Sequence, residues 1–239
     1  MRTVILCEGT TDLLMIQFVL QYKYGWKYDG FTENSETNAL LNKKLKKNND
    51  IIKIINCRGI MNIPQELLKI KDIISLATKK DEFIDKVIVL IDHDTINSNK
   101  EFIDEINKKV DSQFDEININ SEVTWTINSV IYENINVALF IKCVPERQTG
   151  AIEDVLLTAL TTDEIEQEII DESRQFVSSI AKQQDRYLQR KSLISKAIFN
   201  TYFSIRVPEE AYKERARTLN AFDWKSNQVL EEIFDFLNV

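Results

Sequence analysis

The sequence contains a single histidine, His93, among its 239 residues. This scarcity excludes zinc sites built from several histidines and argues against most Ser–His–Asp triads. The three cysteines, Cys7, Cys57 and Cys143, form no CxxC pair and lie in or beside apolar runs, a pattern typical of buried thiols in a reducing compartment. Any bound metal is therefore expected to be held mainly by oxygen atoms, which suit Mg²⁺, Mn²⁺ or Ca²⁺.

Glycine and proline are scarce as well, with 5 and 3 copies, which argues against long flexible linkers. The sequence has no apolar run long enough to span a membrane, and it enters a strand-like segment directly instead of a signal peptide. We therefore expect a cytoplasmic protein without membrane contact. The apolar content of 44% and the charged content of 28% are typical of a globular chain with a substantial core.

The net charge of −8 is a poor match to a protein that coats nucleic acid through a basic surface. It is compatible with an enzyme, because clustered carboxylates that bind divalent cations also make a chain acidic. Basic residues concentrate in the segment NKKLKK at 42–47 and in a later set, Lys182, Arg186, Arg190, Lys191 and Lys196. Such runs are typical of solvated helix faces. We therefore expect a narrow site, a dimer groove or a partner to supply the charge that binds a polyanion.

Apolar runs rich in Ile and Val predict four buried strands, and helical patterns lie between them. The predicted strands are 3–7, 51–56, 86–91 and 136–144, and the predicted helices are 12–24, 64–78 and 100–110. This alternation predicts βαβ units and hence a Rossmann-like α/β fold, in which helices flank a central parallel sheet. The segment 122–130 alternates as an additional strand, suited to a sheet edge.

After Gly150 the pattern is mostly helical, with breaks near Thr161, Gln184 and Pro208 and an amphipathic last helix in QVLEEIFDFL. No internal repeat or low-complexity segment interrupts it. The economical description is an α/β domain over residues 1–160 and a helical C-terminal extension over residues 161–239 that packs on the same domain.

Carboxylates follow two of the predicted strands at the point where each strand ends. Glu8 follows the run VILC, with Asp12 one helical turn later, and Asp92 and Asp94 follow the run VIVLI. Side chains two residues apart in extended backbone point the same way, so Asp92 and Asp94 can face one ion while His93 points away. Parallel strands end at the same edge of a sheet, so Glu8 can converge with them. Three close carboxylates repel one another unless a cation binds, which predicts a divalent-metal site.

Some of the acidic positions also have a purely structural explanation, and the sequence leaves both open. Glu153 and Asp154 follow Gly150 at a predicted helix start, where the helix dipole favours acids. Asp12, with the threonines before it, can likewise cap and charge the start of the first helix.

The ordered pair of EG at 8–9 and DHD at 92–94 resembles the Toprim domain, which topoisomerases, bacterial primases and OLD (overcoming lysogenisation defect) nucleases share. Each motif ends a predicted strand, and a strand–helix unit separates them. The segment CRGIMN adds Gly59 after the second predicted strand, where Toprim proteins often carry a glycine. The resemblance covers residues 1–160 and is closest to small stand-alone OLD-like proteins.

The resemblance implies a set of metal-ligating acids, namely Glu8, Asp12, Asp92, Asp94 and Glu153. It also implies a lysine on a following helix, for which Lys196 in SKAIFNTYFS is the match and Lys191 its rival. In such enzymes two Mg²⁺ or Mn²⁺ ions assist phosphodiester hydrolysis, and the lysine offsets charge on the phosphate. Glu8 is then either a metal ligand or a general base.

The implied function is a metal-dependent endonuclease, with DNA, structured RNA such as tRNA, or a small phosphodiester as the substrate. The sequence has no GxxxxGK(S/T) loop, so ATP-dependent control requires a separate ATPase partner, as in a toxin-like phage-defence pair. Topoisomerase, primase and receiver-domain functions are disfavoured, because the tyrosine segment, the template and zinc modules and the order of acids that they need are not found. A non-catalytic Toprim subunit that binds metal or a nucleotide stays open, as does a homodimer.

Overall fold

The computed structural model of the chain describes residues 1–29, 41–93, 98–110, 114, 119–146, 149–161, 163–183, 186–208, 219 and 222–238. The chain divides into two compact units. The first is Met1–Gln17, Gly25–Ile91 and Asn97–Cys143, and the second is Phe18–Tyr24, Asp92–Ile96 and Val144–Val239. The predicted division near residue 160 stays a prediction.

The described strands are β1 Arg2–Cys7, β2 Lys27–Tyr28, β3 Asn42–Lys47, β4 Asp50–Asn56, β5 Lys86–Asp92, β6 Glu122–Asn128 and β7 Asn134–Val144. They form one seven-stranded sheet in the order β2-β3-β4-β1-β5-β7-β6. All the strands predicted from the sequence are present, with ends that differ by no more than two residues.

The centre of the sheet is parallel. β1 pairs in parallel with β4 on one side and with β5 on the other. β5 reads KVIVLID and is buried from Val87 to Asp92, as expected for a strand that is covered on both faces. These features confirm the predicted α/β class. The carboxyl ends of β1 and β4 lie side by side, with Cys7 opposite Asn56.

Antiparallel strands flank this centre. β3 pairs with β4, β2 with β3, and β6 with β7 in antiparallel register. The segment NKKLKK, whose charge pattern is typical of a solvated helix face, is instead the strand β3. Its central Leu45 is buried opposite Ile52, so pairing with β4 outweighs the charge pattern. A strand with one apolar residue among lysines carries too little periodic signal to be recognised.

The described helices are α1 Thr10–Phe18, α2 Ile63–Leu76, α3 Ser98–Val110, α4 Ile152–Leu160, α5 Glu164–Gln183, α6 Lys191–Arg206 and α7 Gln228–Phe234. A π-helical turn, Val19–Lys23, continues α1, and 3₁₀ turns occupy Ile60–Asn62, Lys80–Glu82 and Asp235–Leu237. The predicted helices in the first half of the chain are therefore present. The breaks predicted after Gly150 agree with the ends of α4, α5 and α6.

In the first unit, α2 packs through an apolar stripe at helical spacing. Ile63, Leu67 and Ile74 are buried and share one core cluster with strand residues such as Val87. Their spacing places them on one face of the helix. Pro64 lies in the first turn, where its missing N–H costs no helical hydrogen bond.

The second unit is mainly helical. Phe18 stacks on Trp224 with ring centroids 5.7 Å apart, and the hydroxyl of Tyr24 donates to the carbonyl of Phe234 at 3.1 Å. These contacts attach the turn after α1 to the C-terminal helix. Among the described helices, none is long and apolar enough to cross a membrane.

Candidate active site

The end of β5 carries a buried carboxylate that binds a lysine. Asp92 is 5% exposed. Its Oδ2 accepts a hydrogen bond from Nζ of Lys196 at 2.9 Å, and its Oδ1 accepts the backbone N–H of Ile152 at 3.1 Å. The hydrogen bonds from the Lys196 amine and from the N–H of Ile152, the first residue of α4, thus offset the free-energy cost of burying this carboxylate.

Lys196 reaches Asp92 from α6, and its position follows from the packing of that helix. Ser195 and Phe199, four residues apart, are buried, so Lys196 lies at the margin of the packed face. The side chain of Lys196 is 40% exposed, and its amine therefore connects a buried carboxylate to solvent. Lys191, the rival position, begins α6 and is exposed.

Glu153 and Asp154 differ in their roles at the start of α4. Oδ2 of Asp154 accepts the N–H of Ala151 at 2.9 Å and the hydroxyl of Ser195 at 2.7 Å. Asp154 therefore caps the helix, as the structural explanation predicts for one of the two acids. Glu153 is 5% exposed and is the candidate ligand of the two.

Gly150 makes room for this cap. A Cβ atom at Gly150 would collide with Oδ2 of Asp154 and would lie 3.3 Å from Cγ of Pro145. The N–H of Gly150 donates to the carbonyl of His93 at 2.8 Å, and Nδ1 of His93 lies 3.0 Å from the carbonyl oxygen of Pro145. His93 thus connects the end of β5 to the loop before α4, which is a structural role.

The start of α1 is capped in the same way. Oδ2 of Asp12 accepts the N–H of Gly9 at 2.7 Å, and Asp12 is 6% exposed. The carbonyl of Glu8 accepts the N–H of Gly59 at 2.8 Å. Gly59 has a φ of +117°, a backbone conformation that glycine adopts far more readily than other residues. The glycine of CRGIMN therefore helps to position the residue that follows β1.

Two thiols lie beside the start of α1. The pKa of Cys7 is raised well above its ordinary value, first by burial and then by the charge of Asp12, the Cys57 thiol and the charge of Glu8. Burial, followed by the charge of Glu66, raises the pKa of Cys57 to about 12. Both thiols are therefore neutral near physiological pH, and neither is suited to act as a thiolate ligand or nucleophile.

The acids predicted as ligands fall into two groups. Glu8 and Asp12 lie at the start of α1 in the first unit. In the second unit, Glu153 lies at the start of α4, and Asp92 at the end of β5 accepts the N–H of the first residue of α4. Asp94 lies outside the described residues. Carboxylate oxygens match the preference of Mg²⁺ and Mn²⁺. In the part of the chain that the structure describes, no group of three His, Cys, Asp or Glu side chains forms a metal cage. The acids therefore fit these ions in the type of ligand atom that they offer.

Sequence reasoning missed two polar residues here. Ser195 donates to Asp154, as described above. Asn56 is 8% exposed; its Nδ2 donates to Oγ1 of Thr10 at 3.1 Å, and its Oδ1 accepts the N–H of Arg58 at 2.9 Å. A polar residue at the end of a buried strand is a signal that identifies Asn56, whereas a serine on an amphipathic helix has no such signal.

Comparison with known proteins gives a family and a fold. The family model described as "Protein of unknown function (DUF3226)" matches residues 2–239. The crystal structure of the hypothetical protein PH0156 from Pyrococcus horikoshii OT3 is similar over 100% of this chain and 96% of that chain, with a TM-score of 0.61 and 14% sequence identity. At that identity the likeness shows a shared fold alone. No curated protein matches the sequence significantly.

Proposed function

The chain belongs to the DUF3226 family of proteins of unknown function, and we propose that it is a divalent-metal-dependent nuclease that hydrolyses phosphodiester bonds of DNA or RNA. One observation carries this proposal: Nζ of Lys196 lies 2.9 Å from Oδ2 of the buried Asp92, at the carboxyl end of a strand in an α/β fold. Such strand ends are where α/β proteins bind ligands. The Toprim-like order of acids in the sequence supports the same assignment.

The carboxylates that would hold Mg²⁺ or Mn²⁺ are Glu8, Asp12, Asp92 and Glu153, with Asp94 added by its place in the sequence. In this proposal the negative charge of these acids favours occupation by cations. Two such ions, when bound, would stabilise charge on the phosphate as Lewis acids and would lower the pKa of bound water. Glu8 either ligates an ion or takes a proton from the attacking water.

Lys196 binds the substrate in this mechanism. Its partly exposed amine donates to a non-bridging phosphate oxygen and offsets the charge that develops there in the transition state. Asp92 holds the amine in place, and the N–H of Ile152 holds Asp92. The lysine is thus oriented before the substrate arrives, which is what charge stabilisation requires.

A cleavage assay on a mixed panel tests the proposal. The wild type, Glu8→Ala and Asp92→Ala are incubated with plasmid, single-stranded DNA, total tRNA and messenger RNA in Mg²⁺ or Mn²⁺. We expect the wild type to cleave, each variant to lose about a hundredfold or more in rate, and chelator to abolish cleavage. The nucleic acid that is cut then identifies the substrate class.

Asp72→Ala is the matched control, because Asp72 is an exposed acid on α2, and we expect it to cleave like the wild type. Cleavage that survives in both site variants would contradict the proposal. A folded wild type that cleaves nothing and binds no Mn²⁺ would contradict it as well. Mn²⁺ binding that depends on Glu8 and Asp92 without any cleavage would indicate a non-catalytic metal-binding subunit instead.

We further propose that the enzyme works in the cytoplasm and that a separate ATPase controls it. The resemblance to OLD nucleases supports such control, and this sequence has no Walker A loop of its own to provide it. Native purification with mass spectrometry tests this assembly. Recovery of the protein without an ATPase would contradict it.

A further inference from the structure

The first unit contains a cavity of about 530 Å³. Lys53 and Ile55 of β4 line it from the sheet, since alternate residues of a strand face the same side. Gln65 of α2 lines it from the helix, and Asn42 lines it from the beginning of β3. Its volume lies within the range of about 300–1,000 Å³ that is typical of small-molecule sites.

The lining of this cavity is cationic, although the chain carries a net charge of −8. Lys53 and Arg58 are exposed at the cavity, and within the described part of the chain no carboxylate pairs with either. Lys69 is a third lining cation, and it forms an ion pair with Glu66, with 2.6 Å between Nζ and Oε1. Lys53 and Arg58 thus give the cavity a local positive potential that attracts anions.

Arg58 is held at this position by an unusual turn. Its φ of +61° is uncommon for a residue other than glycine. Oδ1 of Asn56 accepts the N–H of Arg58 at 2.9 Å, and Nδ2 of Asn62 donates to the carbonyls of Cys57 and Arg58 at 2.9 and 3.2 Å. Backbone strain of this kind persists where the surroundings enforce it, and it is concentrated at functional sites.

The rest of the lining is suited to a nucleobase. Ile55 and Leu41 are partly buried apolar residues of the lining, and the face of a base can pack against them. Asn42 and Gln65 carry carboxamides, which both donate and accept hydrogen bonds and therefore match the edge of a base. Apolar surface, carboxamides and two cations together correspond to the parts of a nucleotide.

We propose that this cavity binds one nucleotide unit, with its phosphate on Lys53 and Arg58 and its base against Ile55. A base that is paired in a duplex cannot enter such a cavity, so the unit belongs to a single strand or to a free mononucleotide. Neither Lys196 nor any described acid of the predicted metal site is among the lining residues, and Lys53 and Arg58 supply positive charge that the acidic chain as a whole lacks.

The position of the cavity in the sheet relates it to the nuclease function. The N–H of Cys57, a lining residue, donates to the carbonyl of Cys7 at 2.8 Å, and Cys7 precedes Glu8. The cavity therefore adjoins the end of β1, and we expect a strand that is held in the cavity to pass Glu8. This step rests on the proposed nuclease function, whereas the nucleotide site itself does not.

Fluorescence anisotropy with labelled single-stranded oligothymidine and oligouridine tests the site in EDTA, where cleavage is suppressed. We expect Lys53→Gln combined with Arg58→Gln to weaken binding about tenfold or more, and to reduce the slope of log affinity against log salt by about one to two. Lys47→Gln is the matched control, because Lys47 lies on β3 outside the cavity lining. We expect it to leave affinity and slope unchanged.

Two further variants separate the loss of charge from a defect in folding. Glycine adopts the backbone conformation of Arg58 without strain, so we expect Arg58→Gly to be at least as stable as the wild type while it still binds more weakly. We expect Lys53→Arg to retain binding, because it keeps the cation.

Several outcomes would overturn the proposal: unchanged binding by the double variant, no binding of any probe by the wild type, or equally tight duplex binding with the same dependence on Lys53 and Arg58. Displacement of the oligonucleotide by AMP or UMP at comparable concentration would assign the cavity to free nucleotides. Resistance to displacement would assign it to a strand.

The nucleotide site and the nuclease function fail separately. Cleavage that depends on Glu8 and Asp92 but not on the cavity would leave the nuclease without this site. Binding that depends on Lys53 and Arg58 in a protein that cleaves nothing would leave the site without the nuclease.

Discussion

The starts of α1 and α4 are built on the same plan. In each, an aspartate at the third helical position accepts the N–H of the residue that precedes the helix. Asp12 accepts the N–H of Gly9 at 2.7 Å, and Asp154 accepts the N–H of Ala151 at 2.9 Å. Both aspartates therefore stabilise a helix N-terminus, where the helix dipole favours negative charge.

The two helix starts differ in the groups that surround their charge. At α4, the amine of Lys196 lies 2.9 Å from Asp92, and the hydroxyl of Ser195 lies 2.7 Å from Asp154. At α1, the neighbour is the Cys7 thiol, whose pKa is raised by burial and next by the charge of Asp12. A cation that is bound in place makes the α4 start the better candidate for stabilising charge on a substrate.

Replacing that cation is expected to have the largest effect. We expect Lys196→Met to lower kcat/KM for cleavage by about a hundredfold to a thousandfold, because the phosphate loses its fixed charged donor. We also expect the free energy of unfolding to fall by about 1–3 kcal/mol, because Asp92 loses a charged hydrogen bond. Cleavage kinetics and urea denaturation measure the two effects.

Lys191→Met is the matched control for this prediction, since it removes the same charge from an exposed position on the same helix. We expect it to keep the activity and stability of the wild type. Equal losses in both variants would show that the lysines act through general surface charge. The contact of Lys196 with Asp92 would then give the α4 start no catalytic advantage over the α1 start.

The substitutions Gly150→Ala and Gly9→Ala add a methyl group at each helix start, and their costs in stability compare the two caps directly. A Cβ at Gly150 would collide with the Asp154 carboxylate, whereas a Cβ at Gly9 would lie 3.7 Å from Oδ2 of Asp12, an ordinary contact. We expect Gly150→Ala to cost about 1–3 kcal/mol of stability. We expect Gly9→Ala to cost clearly less, as urea denaturation would measure.

A double-mutant cycle identifies the cause of the loss at Gly150. Asp154→Ala removes the oxygen that the new methyl group meets, so we expect the double variant to be about 1–2 kcal/mol more stable than the sum of the single effects implies. Strict additivity would mean that the cap does not constrain Gly150, and that the contact with Pro145 or the loop itself does.

The fold was predictable where apolar periodicity was strong. The buried strands β1, β4 and β5 follow from short apolar runs rich in β-branched residues, and the stripe of α2 follows from its helical spacing. The sequence did not predict the strand β3, because its lysines leave little alternation of apolar and polar residues. Only two residues separate the end of β3 from Asp50, where β4 begins, so the missing signal is the low strand propensity of the lysine-rich segment itself and not the distance to its partner.

The sequence predicts which residues belong to the candidate site, but it does not predict how their side chains contact one another. The strand-end positions of Glu8 and Asp92 follow from the sequence, and so does the helix-start position of Asp154. The contact of Lys196 with Asp92 joins residues 104 positions apart. Which of two lysines on α6 makes that contact depends on how the helix packs, and tertiary packing is not visible in a local pattern.

The effect that is smallest near neutral pH concerns the thiols beside the start of α1. Cys57 donates its N–H to the carbonyl of Cys7, and its pKa is raised from 9.0 to about 12, chiefly by burial. In that pH window the thiol ionises in the unfolded chain while it stays protonated in the folded one. Stability that is fully present below the lower value is therefore lost as the pH rises through the window.

We expect Cys57→Ala to reduce the slope of the free energy of unfolding against pH by at most about 1.4 kcal/mol for each unit of pH. Urea denaturation over the window would measure this slope. Glu66→Gln should flatten it less, because the charge of Glu66 is the second cause of the pKa shift and burial is the first. A Cys57→Ala variant with the slope of the wild type would show that this thiol ionises without cost to the fold. The α1 start would then resemble the α4 start in tolerating a further buried charge, and the contrast between a start without a bound lysine and one with Lys196 would be lost.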